Sequence, residues 1–296
     1  MCSHTLLRFM MLSISQRMAS FSDEIRRFCS SHGLRLNTDL GQHFLLDESI
    51  LDRIVETAEI QKKETIVEIG PGIGILTRKL LERAGSVIAI ELDEHLIPLL
   101  RQFIAEHSPP PSGEGLGVGA LTIIQGNALH VTMPSTPYKV VANIPYHITS
   151  PLLRHLFLES KTIPMTLTLL IQREVAEKIC DAEDAGMLTI LVGLFGKPKI
   201  VAHVPPESFL PPPKVDSAVL FIECFEKPLA DAQTIEKIFT LTKAAFSQKR
   251  KMISNTIGKF HEGMELLARA SIDPSRRPQT LSVAEWIALA KEYKEE

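Results

Sequence analysis

The chain has 296 residues, 45% of them hydrophobic, enough for one large globular domain plus a small one. A formal net charge of −3 argues against a uniformly basic nucleic-acid coat, although basic charge gathers in the last third. The four cysteines are scattered without metal-ligand or Cys-x-x-Cys spacing, which points to reduced thiols in a reducing cytosol and to no metal. No apolar run approaches the roughly 18 to 20 residues of a membrane span. A cytoplasmic protein is expected.

Residues 1–35 read as a leader, partly disordered. The patch Leu6 to Ile14 carries Arg8 and precedes Arg17 and several serines, weakly like a transit or signal peptide. The preferred reading is a disordered leader ahead of a later start at Met18. Asp47 to Glu59 has helical apolar spacing. Strand-like runs follow at Thr65–Ile69, Ser86–Glu91, Leu121–Ile124, Tyr138–Ala142 and Thr166–Ile171. Helical patterns at Gly74–Ala84 and at Asp93–His107 (despite Pro98) separate the first three. This alternation predicts βαβ units and a mainly parallel sheet covered on both faces. The Pro/Gly-rich segment 108–119 reads as a flexible insertion. Ser217–Phe225 reads as a last strand, and only helical patterns remain after Asp231. The division expected is an α/β domain with a mainly parallel sheet over 36–227 and a small all-helical domain over 228–296.

Two loops carry the chemistry. Glu68-Ile69-Gly70-Pro71-Gly72-Ile73-Gly74 leaves a buried strand through a glycine turn that lets a ligand approach the backbone. The spacing is G-x-G-x-G, where a dinucleotide fingerprint needs G-x-G-x-x-G, so a nucleoside-cofactor oxidoreductase is disfavoured. Glu91 ends the next strand, where a carboxylate can accept both ribose hydroxyls of a nucleoside. Asn127, in the turn after the third strand, could read an adenine edge or simply be a turn residue.

The second loop is Asn143-Ile144-Pro145-Tyr146. An adenine N6 is a poor nucleophile because its lone pair is delocalised into the ring. The Asn143 side-chain oxygen and the Ile144 carbonyl could accept its hydrogens and turn that lone pair toward a methyl donor. Pro145 pushes Ile144 away from helical geometry, and Tyr146 offers a stacking face. No strong base is needed, and the rate would come from positioning and electrostatics.

The chain resembles the KsgA-type ribosomal RNA adenine N6,N6-dimethyltransferases over roughly residues 36 to 292. The segments that carry the resemblance include LGQHFL (40–45), EIGPGIGILT (68–77), NIPYHITSPLL (143–153), QREVAEKI (172–179), PPESFLPPPKVDSAV (205–219) and AAFSQKRKMISNTIG (244–258). The resemblance implies a Rossmann-like fold, S-adenosylmethionine as cofactor and small-subunit (16S) ribosomal RNA as partner. It further implies dimethylation of two adjacent adenosines near the RNA 3′ end and a contribution to subunit maturation. It places His43, Leu45, Gly70, Glu91 and Asn143 at the cofactor, with Gly72 and Gly74 in the same glycine loop. Asn127 stands where the family usually has aspartate. Phe209 matches the aromatic that covers the other face of the target adenine. Lys243, Lys249, Arg250, Lys251 and Lys259 form an acid-free basic stretch suited to RNA phosphates. Competing readings are an Erm-like large-subunit methyltransferase and a mainly non-catalytic ribosome-assembly factor. A monomer is the default, since no heptad pattern is visible.

Overall fold

The computed structural model describes residues 20–34, 36–38, 41–107, 119–248 and 250–294. Residues 1–19, most of the 108–119 insertion and Lys249 lie outside the described residues.

A seven-stranded sheet forms the frame, in the order β4-β3-β2-β5-β6-β9-β7. Its strands are β2 (Thr65–Ile69), β3 (Ser86–Glu91), β4 (Ala120–Gln125), β5 (Tyr138–Asn143), β6 (Thr166–Gln172), β7 (Gly196–Val204) and β9 (Ser217–Cys224). The first five are parallel neighbours, and β9 pairs antiparallel with both β6 and β7. Continuous apolar runs make this possible, because a mainly parallel sheet is covered on both faces. In β5, Tyr138 through Ala142 are all buried. The chain runs β2, β3, β4 toward one edge and then returns to place β5 beside β2. That reversal is the switch point where open α/β sheets bind ligands, outside the C-terminal strand ends. The loops after β2 and β5 therefore meet there.

A second, two-stranded ribbon pairs β1 (Phe44–Leu45) with β8 (Phe209–Leu210), Phe44 opposite Leu210 and Leu45 opposite Phe209. It ties the LGQHFL segment to the segment that leads into the last strand. Helices α1 (Phe21–Ser31), α2 (Glu48–Thr57), α3 (Ile75–Leu81) and α4 (Leu96–His107) belong to the half of the core that holds this ribbon. Asp47 caps α2 by accepting from the Ser49 and Ile50 amides. Helix α4 starts at Leu96 rather than Asp93, because the Asp93 carboxylate accepts from the His95 amide at 3.0 Å and holds a turn. Pro98 then falls in the first helical turn, where its missing N–H breaks no helix bond.

The leader needs correction within its described part. Residues 21–31 form helix α1, started by a capping box between Ser20 and Asp23. Ile25, Phe28 and Cys29 are buried, Glu24 pairs with Arg78 at 2.8 Å, and Phe28 packs edge-on to Phe103.

On the other side of the sheet lie α5 (Thr149–Arg154), α6 (Arg173–Cys180), α7 (Met187–Phe195), α8 (Ala232–Phe246), α9 (Gly263–Arg269) and α10 (Val283–Glu292). The C-terminal helices share one apolar cluster with the sheet: Ile238, Leu241 and Trp286 belong to the same buried cluster as Leu167, Leu169 and Leu220. Trp286 is fully buried. Trp286→Ala is expected to cost about 3–5 kcal/mol of stability, read as a lowered midpoint in chemical denaturation.

Candidate active site

The loops after β2, β3, β4 and β5 wall a single cleft, with Gln42 to Leu45 forming another side. About 1060 Å³ of empty space lies between its walls, solvent at the opening included. The strand ends decide which atoms face it.

At the end of β2, Gly70 and Gly72 both have positive φ. Gly72 is required twice over, since its φ is +61° and a Cβ would sit 2.8 Å from the Phe44 ring. Its N–H donates to Glu91 Oε2 at 3.0 Å, while Asp93 N–H donates to Glu91 Oε1 at 2.9 Å. Glu91 is thus held at the tip of β3 with both oxygens fixed. Burial raises its pKa, opposed by those amides. Gly74 is a correction: it does not face the cleft. It is the left-handed residue before α3, packed so closely that a Cβ would meet Leu100 at 2.5 Å.

Sequence reasoning missed Glu68 as a cleft residue and passed over Asp93 in favour of Glu91, which directly follows an apolar run. Glu68 and Asp93 both line the cleft. Glu68 is buried, its Oε2 has no hydrogen-bond partner among the described residues, and burial lifts its pKa to about 8. The nearby Glu91 charge pushes it in the same direction. The available signal was an acid inside an otherwise apolar strand. Asp93 accepts from Gln42 Nε2 at 2.9 Å, and the Asn37 amide donates to Gln42 Oε1 at 2.7 Å. That chain of bonds straps the N-terminal segment across the cleft.

Asn143 ends β5 and its side chain is oriented by the strap. Its Nδ2 donates to the His43 carbonyl at 2.9 Å, which leaves Oδ1 as an acceptor with no partner among the described residues. The strap is tight, because Gly41 has φ +74° and a Cβ there would lie 2.8 Å from Pro145 Cβ. Pro145, His43 and Leu45 line the cleft. The Ile144 side chain is buried in the core. Tyr146 is half-buried, its ring parallel to that of His43 within 15° at 6.3 Å. The Tyr146 hydroxyl is hydrogen-bonded to Ser217 at 2.6 Å.

Two expected site residues sit differently. Asn127 lines the cleft, but its Oδ1 already accepts from the Leu129 amide at 3.0 Å, as a turn asparagine does. Phe209 is 1% exposed and packs in the core, not in the cleft wall. In this ribbon Phe209 is the buried residue of β8, so the expectation of a second aromatic face from Phe209 is corrected. Lys243, Arg250, Lys251 and Lys259 are exposed on and after α8, far from the cleft in sequence, and none makes an ion pair with a described residue.

The cleft suits a cationic nucleoside-bearing donor. Glu68, Glu91 and Asp93 face it, and the glycine backbone opens it to close approach. Among the described residues, no cluster of histidine, cysteine and acids is arranged to hold a metal, and no helix is long and apolar enough to cross a membrane.

The family model for ribosomal RNA adenine dimethylase matches residues 33–295. A Clostridium botulinum protein named ribosomal RNA small subunit methyltransferase A is 37% identical over 273 residues, covering 88% of this chain and 95% of that protein. A protein of the same name from Dehalococcoides mccartyi strain CBDB1 is 36% identical over 290 residues, covering 93% and 94%. Among solved structures, a dimethyladenosine transferase from Plasmodium falciparum aligns with TM-score 0.69 at 27% identity, covering 82% of this chain and 94% of that one. The 23S rRNA methyltransferase ErmE aligns with TM-score 0.67 at 28% identity, covering 84% and 98%. The fold is that of Rossmann-like S-adenosylmethionine-dependent methyltransferases, and the chain belongs to the KsgA-type ribosomal RNA adenine dimethylase family.

Proposed function

We propose that this protein uses S-adenosylmethionine to dimethylate N6 of two adjacent adenosines near the 3′ end of small-subunit ribosomal RNA, acting in the cytoplasm as a monomer during subunit maturation. The observation that carries the reading is the Asn143 side chain: it lines the cleft, its Nδ2 donates to the His43 carbonyl, and its Oδ1 has no partner among the described residues. That oxygen and the Ile144 carbonyl accept the hydrogens of the target amine and leave its lone pair free for the methyl group. Tyr146 covers one face of the base. Glu91 holds the ribose, and Gly70, Gly72, His43, Leu45 and Asn127 complete the cofactor wall. The bound cofactor supplies an electrophilic methyl on sulfur. Transfer makes the amine cationic, and its proton then leaves to water.

Sequence likeness to proteins named for the small subunit, at 36–37% identity, supports that acceptor over large-subunit RNA. Small and large subunits lacking dimethyladenosine, incubated separately with methyl-labelled S-adenosylmethionine, test the choice. Label is expected on the small subunit; label only on the large one would favour the Erm-like reading.

Lys243, Lys249, Arg250, Lys251 and Lys259 supply phosphate contacts that position the RNA. Neutralising Lys249, Arg250 and Lys251 together is expected to weaken subunit binding by tenfold or more at low salt and to flatten its salt dependence. Cofactor affinity, followed by calorimetry, should not move.

Glu68 gives a pH signature. Its folded pKa, about 8, lies above its unfolded value, so its stabilising protonation is complete below the unfolded pKa and is lost as pH rises through about 8. A cationic cofactor favours the ionised form. Cofactor binding should therefore release a proton and tighten between pH 6 and 8. Calorimetry in buffers of different ionisation enthalpy measures that release, which Glu68→Gln should abolish.

A further inference from the structure

The loop between β8 and β9, residues 211–216, is clamped at one end by His43, which lines the cleft, and at the other by Tyr146, next to the cleft-lining Pro145. At one end His43 Nδ1 donates to the Pro211 carbonyl at 2.7 Å. At the other, the Tyr146 hydroxyl and the buried Ser217 hydroxyl lie 2.6 Å apart. The His43 and Tyr146 rings that hold these ends lie parallel to each other, 6.3 Å apart. The loop is also pinned beside Ser217. Arg173 N–H donates to the Asp216 carbonyl at 2.9 Å, and the Arg173 guanidinium pairs with the Asp216 carboxylate at 2.7 Å.

Lys214 sits midway between the anchors and is exposed. A chain advances at most roughly 3.6 Å per residue, so its Cα is within about 11 Å of either anchor. Its ammonium extends further on a flexible stem. The nearest acid along the loop, Asp216, is already engaged by Arg173. Lys214 itself makes no ion pair with any described residue. The result is an uncompensated cation on a loop held rigidly beside the base-facing rings, on a chain whose net charge is negative.

We propose that Lys214 is an RNA-binding residue that grips a backbone phosphate of the single-stranded segment next to the target nucleotide. The inference rests on the reading of the cleft as an adenosine site. A base drawn onto Tyr146 leaves its phosphodiester at the rim, and an anchored cation there fixes the register with which the nucleotide enters. This contact is separate from the basic stretch after α8, which carries the main charge.

The experiment measures binding of the full chain to small ribosomal subunits lacking dimethyladenosine, over a series of potassium chloride concentrations, beside methylation of the same particles. Lys214→Ala and Lys214→Gln are expected to weaken binding about three- to tenfold at low salt. The slope of log affinity against log salt should drop by about 0.7, the share of one single-strand phosphate. Lys214→Arg should restore both, and affinity for S-adenosylhomocysteine should stay at the wild-type value in all three. An unchanged slope in Lys214→Ala and Lys214→Gln, while the wild type methylates the particles, would overturn the proposal. So would a parallel loss of S-adenosylhomocysteine affinity, which would mark a structural role. Wild-type protein that binds the particles but transfers no methyl group would instead refute the adenosine-site reading beneath it.

Discussion

Asn143→Ala is expected to lower the single-turnover rate of methyl transfer by about 10²- to 10³-fold, the scale on which a preorganised hydrogen-bonding group aimed at the reacting atom acts. The variant loses the Oδ1 acceptor that turns the amine lone pair toward the donor. It also loses the Nδ2 bond to the His43 carbonyl, a neutral bond with a net contribution of about 1 kcal/mol. Folding should therefore survive. Asn143→Asp sharpens the point, since it keeps the acceptor but sets a carboxylate oxygen against the His43 carbonyl. That repulsion should push the strap away and weaken cofactor binding as well as the rate. A purely structural asparagine would instead lower the stability of both variants, Asp more than Ala, and leave the transfer rate of the folded protein near the wild-type value. Quenched-flow methylation with saturating RNA, beside a denaturation curve for each variant, separates these outcomes.

Glu91→Ala is expected to reduce affinity for S-adenosylhomocysteine by about 10- to 100-fold, the range for losing hydrogen bonds to a charged acceptor. In the wild type both carboxylate oxygens are oriented by the Gly72 and Asp93 amides. Alanine strands those two amides, with a stability cost of about 1–3 kcal/mol for each that becomes buried without a partner. Glu91→Gln keeps one acceptor oxygen and should fall between. Titration calorimetry checks the series, and wild-type affinity in Glu91→Ala would remove Glu91 from the cofactor wall.

Much of this site is legible in the sequence because local pattern and chemistry agree. The apolar run ending at Asn143 marks a buried strand, and Pro145 enforces the turn. Together they place the asparagine at a strand tip whatever the rest of the chain does. Glu91 is readable for the same reason. Which glycine faces the ligand is not readable, because G-x-G-x-G spacing is silent on orientation. Gly72 is pressed by Phe44 from the strap, whereas Gly74 is pressed by Leu100 from α4. Phe209 escapes for a related cause. Its strand has two residues, too few for alternation to reveal an inside, and pairing with Leu45 from far upstream decides its direction. The ribbon is tertiary information. Helix α1 was within reach: Phe21, Ile25, Phe28 and Cys29 follow helical spacing behind Ser20 and Asp23. Glu68 was within reach too, as a lone acid in a core strand.

Family membership, the cleft and the strap converge on one physical claim, that the β5 asparagine presents its oxygen to an exocyclic amine beside the donor. The most direct test is a structure of the protein with S-adenosylhomocysteine and adenosine bound together. The account predicts the purine amine within hydrogen-bond distance of Asn143 Oδ1, its ring against Tyr146, and the sulfur of the cofactor facing the amine. A purine seated elsewhere, or an Asn143 whose nitrogen rather than oxygen faces the purine amine, would contradict it.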